Sequence, residues 1–291
     1  MLDLLLVCGV GIASGSSFGA ESNISNVPIR AKYVELGKQL RTNQFRRPLY
    51  LDSVESLHDL KGDIYAVVDY PFAAVNLALN NPAHWFDVLI LHINNKYCHA
   101  SGDNTDAVLS VNIGKKDDQP LADSYRVEFS YRGVIKTPDC LAVKLNAENG
   151  PLDTRGYRIW LEATPAQNKR TFLHFTYAYA FGLAGNLAMQ GYLATIGREK
   201  VGFTVTGKQP NGQPIYIQGV RGVVERNAMR YYLAIDAYLA ALATLPKGQL
   251  EKRLQNWYDS TEQYARQLHE VERDDYLKMK RKEYQRQQVA Q

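Results

Sequence analysis

Cysteine and histidine are scarce: three Cys and six His in 291 residues. No CxxC, HxH or HExxH spacing occurs, so the common zinc-binding patterns are excluded. Charge of one sign is also lacking. Lys and Arg number 34 against 30 Asp and Glu, a net +4. No dense basic stripe interleaves with aromatics, which excludes the usual footprint of a nucleic-acid binder. No apolar run reaches the roughly 20 residues a membrane span needs. There is no internal repeat and no low-complexity tract. Gly182, Gly185 and Gly191 follow an expected strand without the spacing of a dinucleotide loop, and suit close helix packing instead. No Ser/His/Asp or Cys/His order stands out.

What is present is tyrosine, 19 residues against nine Phe and three Trp. A tyrosine packs an apolar ring and keeps a hydroxyl, which suits half-buried sheet faces and pockets with a polar handle. With 45% hydrophobic and 22% charged residues the chain can bury a sizeable core, as one large domain or two small ones. Leu4–Ala13 is apolar and 14–20 is rich in small residues, the pattern of a signal peptide cleaved near Gly19 or Ala20. Asp3 and the lack of a basic residue depart from that pattern, and Val7 before Cys8 argues against lipidation. A periplasmic location is the expectation.

Residues 21–61 are mixed and polar, with a short helix at 32–40 and extended chain near Phe45–Tyr50, and read as an N-terminal extension. Arg46-Arg47 is too short to make a basic patch. From Asp63 the pattern sharpens. Asp63–Asp69 is β-branched and aromatic enough for a strand. Pro71 and Pro82 each suit the start of a short helix, where a missing N–H costs nothing. Period-two alternation then marks strands at 107–113, 125–132, 141–145, 157–162 and 172–179, with one more near Lys96–Ser101. The joints Thr137-Pro138-Asp139, Asn149-Gly150-Pro151 and Thr164-Pro165-Ala166 carry turn chemistry, and short connections imply antiparallel neighbours. Val220–Ala243 has apolar residues at helical spacing, and Pro246 ends it. Residues 245–291 read as one long charged helix with a sparse apolar stripe.

Strand, two short helices, a run of strands, then a helix: this order resembles the START-like, or helix-grip, superfamily. The local carriers are Asp69-Tyr70-Pro71-Phe72, Val75, Leu79, Asn81-Pro82 and Trp85. The resemblance covers residues 62–244. The segment 182–219 departs from the pattern, so either Gly182–Ile196 or Val220–Ala243 can be the gripping helix, and the second has the length and the stripe. The resemblance implies an α+β fold with a curved antiparallel sheet of about seven strands around that helix, and an apolar cavity between them. It also places Cys98 and Cys140 three strands apart. At about 4.8 Å per strand that is too far for a disulfide, so two free thiols are expected.

Ligand contact is expected from one sheet face, Tyr125, Val127, Phe129, Tyr157, Ile159, Phe175 and Tyr177, and from Arg226 and Arg230 on the helix. Arg226 or Arg230 can hold a carboxylate or phosphate. With Arg221 and Glu225 they can equally form an ion-paired surface face. His84, His92 and His99 cluster in sequence but not at ligand spacing. His174 lies mid-strand, either on the cavity side as a general base or on the outer face. No metal or cofactor is expected. The leading reading is an exported binding or carrier protein for a hydrophobic or amphipathic, lipid-like molecule. An enzyme of the cyclase or hydrolase type in the same cavity, using His174 and a tyrosine, is the second. The third is an assembly partner working through the C-terminal helix. The basic residues Lys278, Lys280, Arg281, Lys282 and Arg286 can meet an anionic membrane surface.

Overall fold

The structure, a computed structural model, describes residues 26–57, 59–102, 107–182, 189, 191 and 197–289. The expected leader lies outside these residues, as does nearly all of the Gly182–Ile196 segment.

Eight strands make one antiparallel sheet. They are β1 (Leu49–Glu55), β2 (Asp59–Val68), β3 (Asn95–Ser101), β4 (Val108–Ile113), β5 (Tyr125–Lys136), β6 (Leu141–Asn149), β7 (Thr154–Ala166) and β8 (Arg170–Phe181). Their spatial order is β1-β2-β8-β7-β6-β5-β4-β3. Strands β3 to β8 therefore form a meander, and β2 joins its far end by pairing with β8. This adds one strand to the expected seven. Strand β1 lies within the segment read as an N-terminal extension, and pairs with β2 from Leu49↔Ala66 to Glu55↔Leu60. A small hairpin, β9 (Val205–Lys208) with β10 (Pro214–Tyr216), stands apart from the sheet.

Helices α1 (Asn26–Glu35) and α2 (Gly37–Arg41) precede the sheet. Between β2 and β3 run α3 (Phe72–Leu79) and α4 (Pro82–Leu89). Each starts as its proline dictates. The Pro71 carbonyl accepts from Ala74 and Val75, and Asn81 caps α4 by accepting from the Ala83 N–H at 2.9 Å. Helix α5 (Gly219–Ala241) is the gripping helix, against β1, β2, β8 and α4. Its approach to β2 is close: a Cβ on Gly62 would stand 3.0 Å from the Ala228 methyl. The expected single C-terminal helix is instead three pieces, α6 (Pro246–Glu262), α7 (Ala265–Leu268) and α8 (Arg273–Val289).

The main core lies between the concave sheet face and α5. Leu109, Val127, Phe129, Leu145, Ile159, Leu161 and Phe175 meet Val224, Ala228, Tyr231 and Ile235 there. A second, smaller cluster covers part of the outer face, where Ile29, Leu36 and Leu40 of the first two helices pack on Val67 and Phe172. Cys98 sits on β3 and Cys140 just before β6, three ladder steps apart; both thiols are free and buried. One expected turn is displaced. Strand β7 runs through Thr164-Pro165-Ala166, and the chain reverses over Gln167-Asn168-Lys169, the last two at positive φ. Pro165 is tolerated because β6 ends opposite Ala163, so no ladder bond is lost on that side.

Candidate functional site

A cavity of about 310 Å³ opens between the sheet and α5. Its sheet wall is Tyr157, Tyr177 and Tyr179, with Ile113 beside them. The Tyr157 and Tyr179 rings stack at 5.3 Å, 12° apart. Helix α5 contributes Val223, Arg226, Asn227, Arg230 and Tyr231. The turn after α4 contributes His92 and Asn94, the start of β3 contributes Asn95, and the chain beyond β4 contributes Lys116. Pro151, Leu152 and Thr154 of the β6–β7 connection also line it, with Met189. Leu152 is 70% exposed and sits with Asp153 at positive φ, so an apolar side chain is held out to solvent at the edge of the cavity.

The tyrosines remain phenols. Burial raises the pKa of Tyr157, Tyr177, Tyr179 and Tyr231, so they are neutral hydrogen-bonding groups at any physiological pH. The Tyr157 hydroxyl meets Thr154 Oγ1 at 2.8 Å.

The α5 end of the cavity is cationic. Arg230 donates to Glu270 at 2.6 Å and to the Leu268 carbonyl at 3.4 Å. Glu270 also meets Lys116 at 2.6 Å and Lys200 at 3.3 Å. Burial opposes its charge, but these cations win and hold its pKa below the usual range. Arg226 donates to the Val201 carbonyl at 3.2 Å. Glu225, expected on an ion-paired surface, is buried and structural: it accepts from Ser53, from the Phe203 and Thr204 amides and from Thr204 Oγ1.

His92 is buried and stacks on Tyr231 with ring centres 4.4 Å apart. Burial, reinforced by Arg230, Lys280 and Lys116, pushes its pKa well down, so the ring is neutral. Its Nδ1 accepts from the Asn94 amide at 3.3 Å, which places the ring hydrogen on Nε2. The Asn227 side chain adjoins the ring and favours its charged form, but is not placed at hydrogen-bond distance and angle from Nε2.

Of the residues expected to touch ligand, Tyr157, Tyr177, Arg226 and Arg230 line the cavity. Val127, Phe129, Ile159 and Phe175 share the concave face but are packed into the core away from it. Tyr125 is 45% exposed at the outer end of β5 and does not line the cavity. His174 lies on the outer face. Its Nδ1 meets Glu162 and its Nε2 meets Asp63, both at 2.9 Å, so it has no access to the cavity. His84 bonds the Ala78 carbonyl and His99 sits on β3, so the three histidines near in sequence do not converge. Among the described residues no group of three His, Cys, Asp or Glu is placed to hold a metal ion.

Asn95, Lys116, Asn227 and Thr154 are lining residues that sequence reading missed. Three of them lie at strand ends or in connections, where no periodicity marks orientation. Asn227 carried a signal only through Arg230, three residues on and so on the same face of the helix.

No protein-family model matches the chain, and no curated protein is similar to it in sequence. Solved structures give loose likenesses. Ara h 8.0201 is 8% identical with a TM-score of 0.37, covering 63% of this chain and 99% of its own. Norcoclaurine synthase from Thalictrum flavum is 10% identical with a TM-score of 0.32, over 51% of this chain and 78% of its own. A protein from Nitrosospira multiformis is 16% identical with a TM-score of 0.24, over 54% and 97%. These scores are low, and the helix-grip arrangement is evident in this chain's own sheet order and in the packing of α5 across the concave face.

Proposed function

We propose that this protein is an exported, START-like binding or carrier protein that holds an apolar or amphipathic small molecule between its sheet and α5. The observation that carries the reading is the cavity itself, walled by tyrosines on one side and with charged groups gathered at one end. Such a concave, mainly apolar site with a few convergent polar groups is what small-molecule binding requires. Its 310 Å³ lies at the small end of the range of about 300–1,000 Å³ for ligand pockets. A single ring system or a medium-length chain fits better than a sterol. Export is supported by the apolar run Leu4–Ala13 and the small residues after it.

Membrane contact through the C-terminal end has less support. Lys280 is buried, while Arg281 and Lys282 pair with Glu251 and Asp118. Native mass spectrometry of the protein isolated from its own cells, followed by organic extraction, tests the reading. A retained mass that extracts as one compound class is expected, on a chain recovered from the periplasmic fraction with its first 19 or 20 residues removed. An unliganded chain that also takes up nothing from a total lipid extract sinks it.

A further inference from the structure

We infer that the ligand of this cavity is a carboxylic acid, its head group seated between His92, Arg230 and Lys116 and its apolar body along Tyr157, Tyr177 and Tyr179. The inference rests on the cavity being a ligand site and says what class of ligand it takes.

The lining is one-sided in charge. Among the described residues it includes Lys116, Arg226 and Arg230 and no Asp or Glu. Behind it, the Glu270 carboxylate is shared by Arg230, Lys116 and Lys200. An anion adds an acceptor to such a cluster, whereas an ammonium head would be repelled by it.

Two buried donors at this end also lack acceptors. His92 Nε2 and Arg230 Nε have no hydrogen-bond partner, although both side chains are almost completely buried. Native interiors rarely leave such groups unpaired, so a missing acceptor is the economical explanation. His92 carries its hydrogen on Nε2 because Nδ1 is already accepting from Asn94. A neutral imidazole N–H together with an arginine N–H suits a carboxylate, which offers two oxygens and about four lone-pair directions. An alcohol has one oxygen and its own hydrogen to place, and satisfies fewer of these donors.

Displacement of the neutral fluorophore N-phenyl-1-naphthylamine tests this with three ligands of one chain length: octanoate, octanol and octylamine. The full chain is used at pH 7.5, where the acid is ionised and the amine protonated. Octanoate should displace the probe at a concentration about tenfold below that of octanol, with octylamine weakest, as charge-assisted hydrogen bonds require. Arg230→Gln and Lys116→Met should each close most of that gap. Lys116 is partly exposed, so its variant keeps the test valid if Arg230→Gln fails to fold. Equal displacement by octanoate and octanol overturns the head-group assignment and leaves the cavity reading intact. A preference for octanoate that survives Lys116→Met and a folded Arg230→Gln overturns the assignment to this cluster. A probe that does not bind at all overturns both the cavity reading and this one.

Discussion

His174 sits on the outer sheet face with a carboxylate on each ring nitrogen and the Tyr65 ring stacked 4.2 Å away. Burial disfavours its charge, but the hydrogen bonds to Asp63 and Glu162 outweigh that and raise its pKa above the ordinary value. Burial likewise opposes the Asp63 carboxylate, yet His174, Lys61 and Thr176 pull its pKa down to about 2. The signs follow from linkage. The histidine's contribution is complete below its unfolded pKa of about 6.5 and is lost as pH rises through the higher folded value. The Asp63 contribution is complete above about 3.9 and is lost as pH falls toward its folded value, about 2. His174→Gln should therefore cost about 1.5–3 kcal/mol at pH 5.5, the worth of hydrogen bonds to charged groups, and clearly less at pH 9.5. Urea unfolding of both proteins at the two pH values measures it. A deficit that is constant or grows with pH refutes the imidazolium assignment. Alternation along β8 showed that His174 opposes Phe175 and Tyr177. It did not show which face is concave, because both faces of that strand are largely apolar: Phe172 on the His174 side is as buried as Phe175.

Helix and strand meet most closely where β2 passes α5, and Gly62 makes that approach possible. Gly62→Ala places a methyl 3.0 Å from Ala228 Cβ and 3.3 Å from the Val224 carbonyl. Both neighbours are backbone or fixed at the backbone, so neither can swing aside. A loss of about 1–3 kcal/mol is expected, the usual cost of overpacking, measured as a lower unfolding midpoint in urea. An unchanged midpoint would show that α5 can retreat from the sheet. The meander strands were legible because one face alternates cleanly with the other, as in β5, where Val127, Phe129 and Tyr131 are buried between exposed neighbours. Strand β1 was not legible for a related reason. Its inward positions are Leu49, Leu51 and Ser53, and the apolar alternation stops at a serine whose hydroxyl holds Glu225. The breaks between α6, α7 and α8 had no marker either, since no Gly or Pro occurs after Gly248. Tyr157 and Tyr177 follow the strand period and were among the expected contacts, whereas Tyr179 on the same face and Tyr231 on α5 were not. Lys116 comes from a connection and Asn95 from the first position of β3, and neither was found.

Across the whole molecule, the C-terminal pieces are part of the folded body. Glu270 reaches Arg230 and Lys116, Arg253 pairs with Asp87 at 2.6 Å, and Tyr276 donates to the Leu91 carbonyl at 2.9 Å. At the centre of the α8 contact, the buried Glu283 meets Lys96 at 3.1 Å and Lys280 at 2.8 Å. Burial, aided by Lys96, draws the Lys280 pKa down to about 8 against the pull of Glu283. Glu283→Gln leaves two buried ammonium groups without their carboxylate. It should cost about 3–5 kcal/mol, as breaking a buried ion pair from one side does, read from denaturant unfolding at pH 7. A loss under about 1 kcal/mol would mean that water or carbonyls already neutralise this pocket. The arginines give a similar lesson about distance in sequence. Arg46 and Arg47, unremarkable as a pair, share a groove with Arg41 and Arg170 once β8 returns beside β2.

Strand β3 is one of the two edge strands of the sheet, and its Cys98 amide donates at 2.9 Å to Gln287, near the end of α8. During synthesis the chain emerges from its N-terminus, at about 5–20 residues per second. The strand is therefore made well before the helix that shields it, separated by 189 positions. Until Gln287 has been made and α8 has docked, the Cys98 amide has no Gln287 to receive it and is a template for stray strand pairing. The interval between making the edge and closing it is set by translation speed, and a chain stopped before Gln287 never closes it.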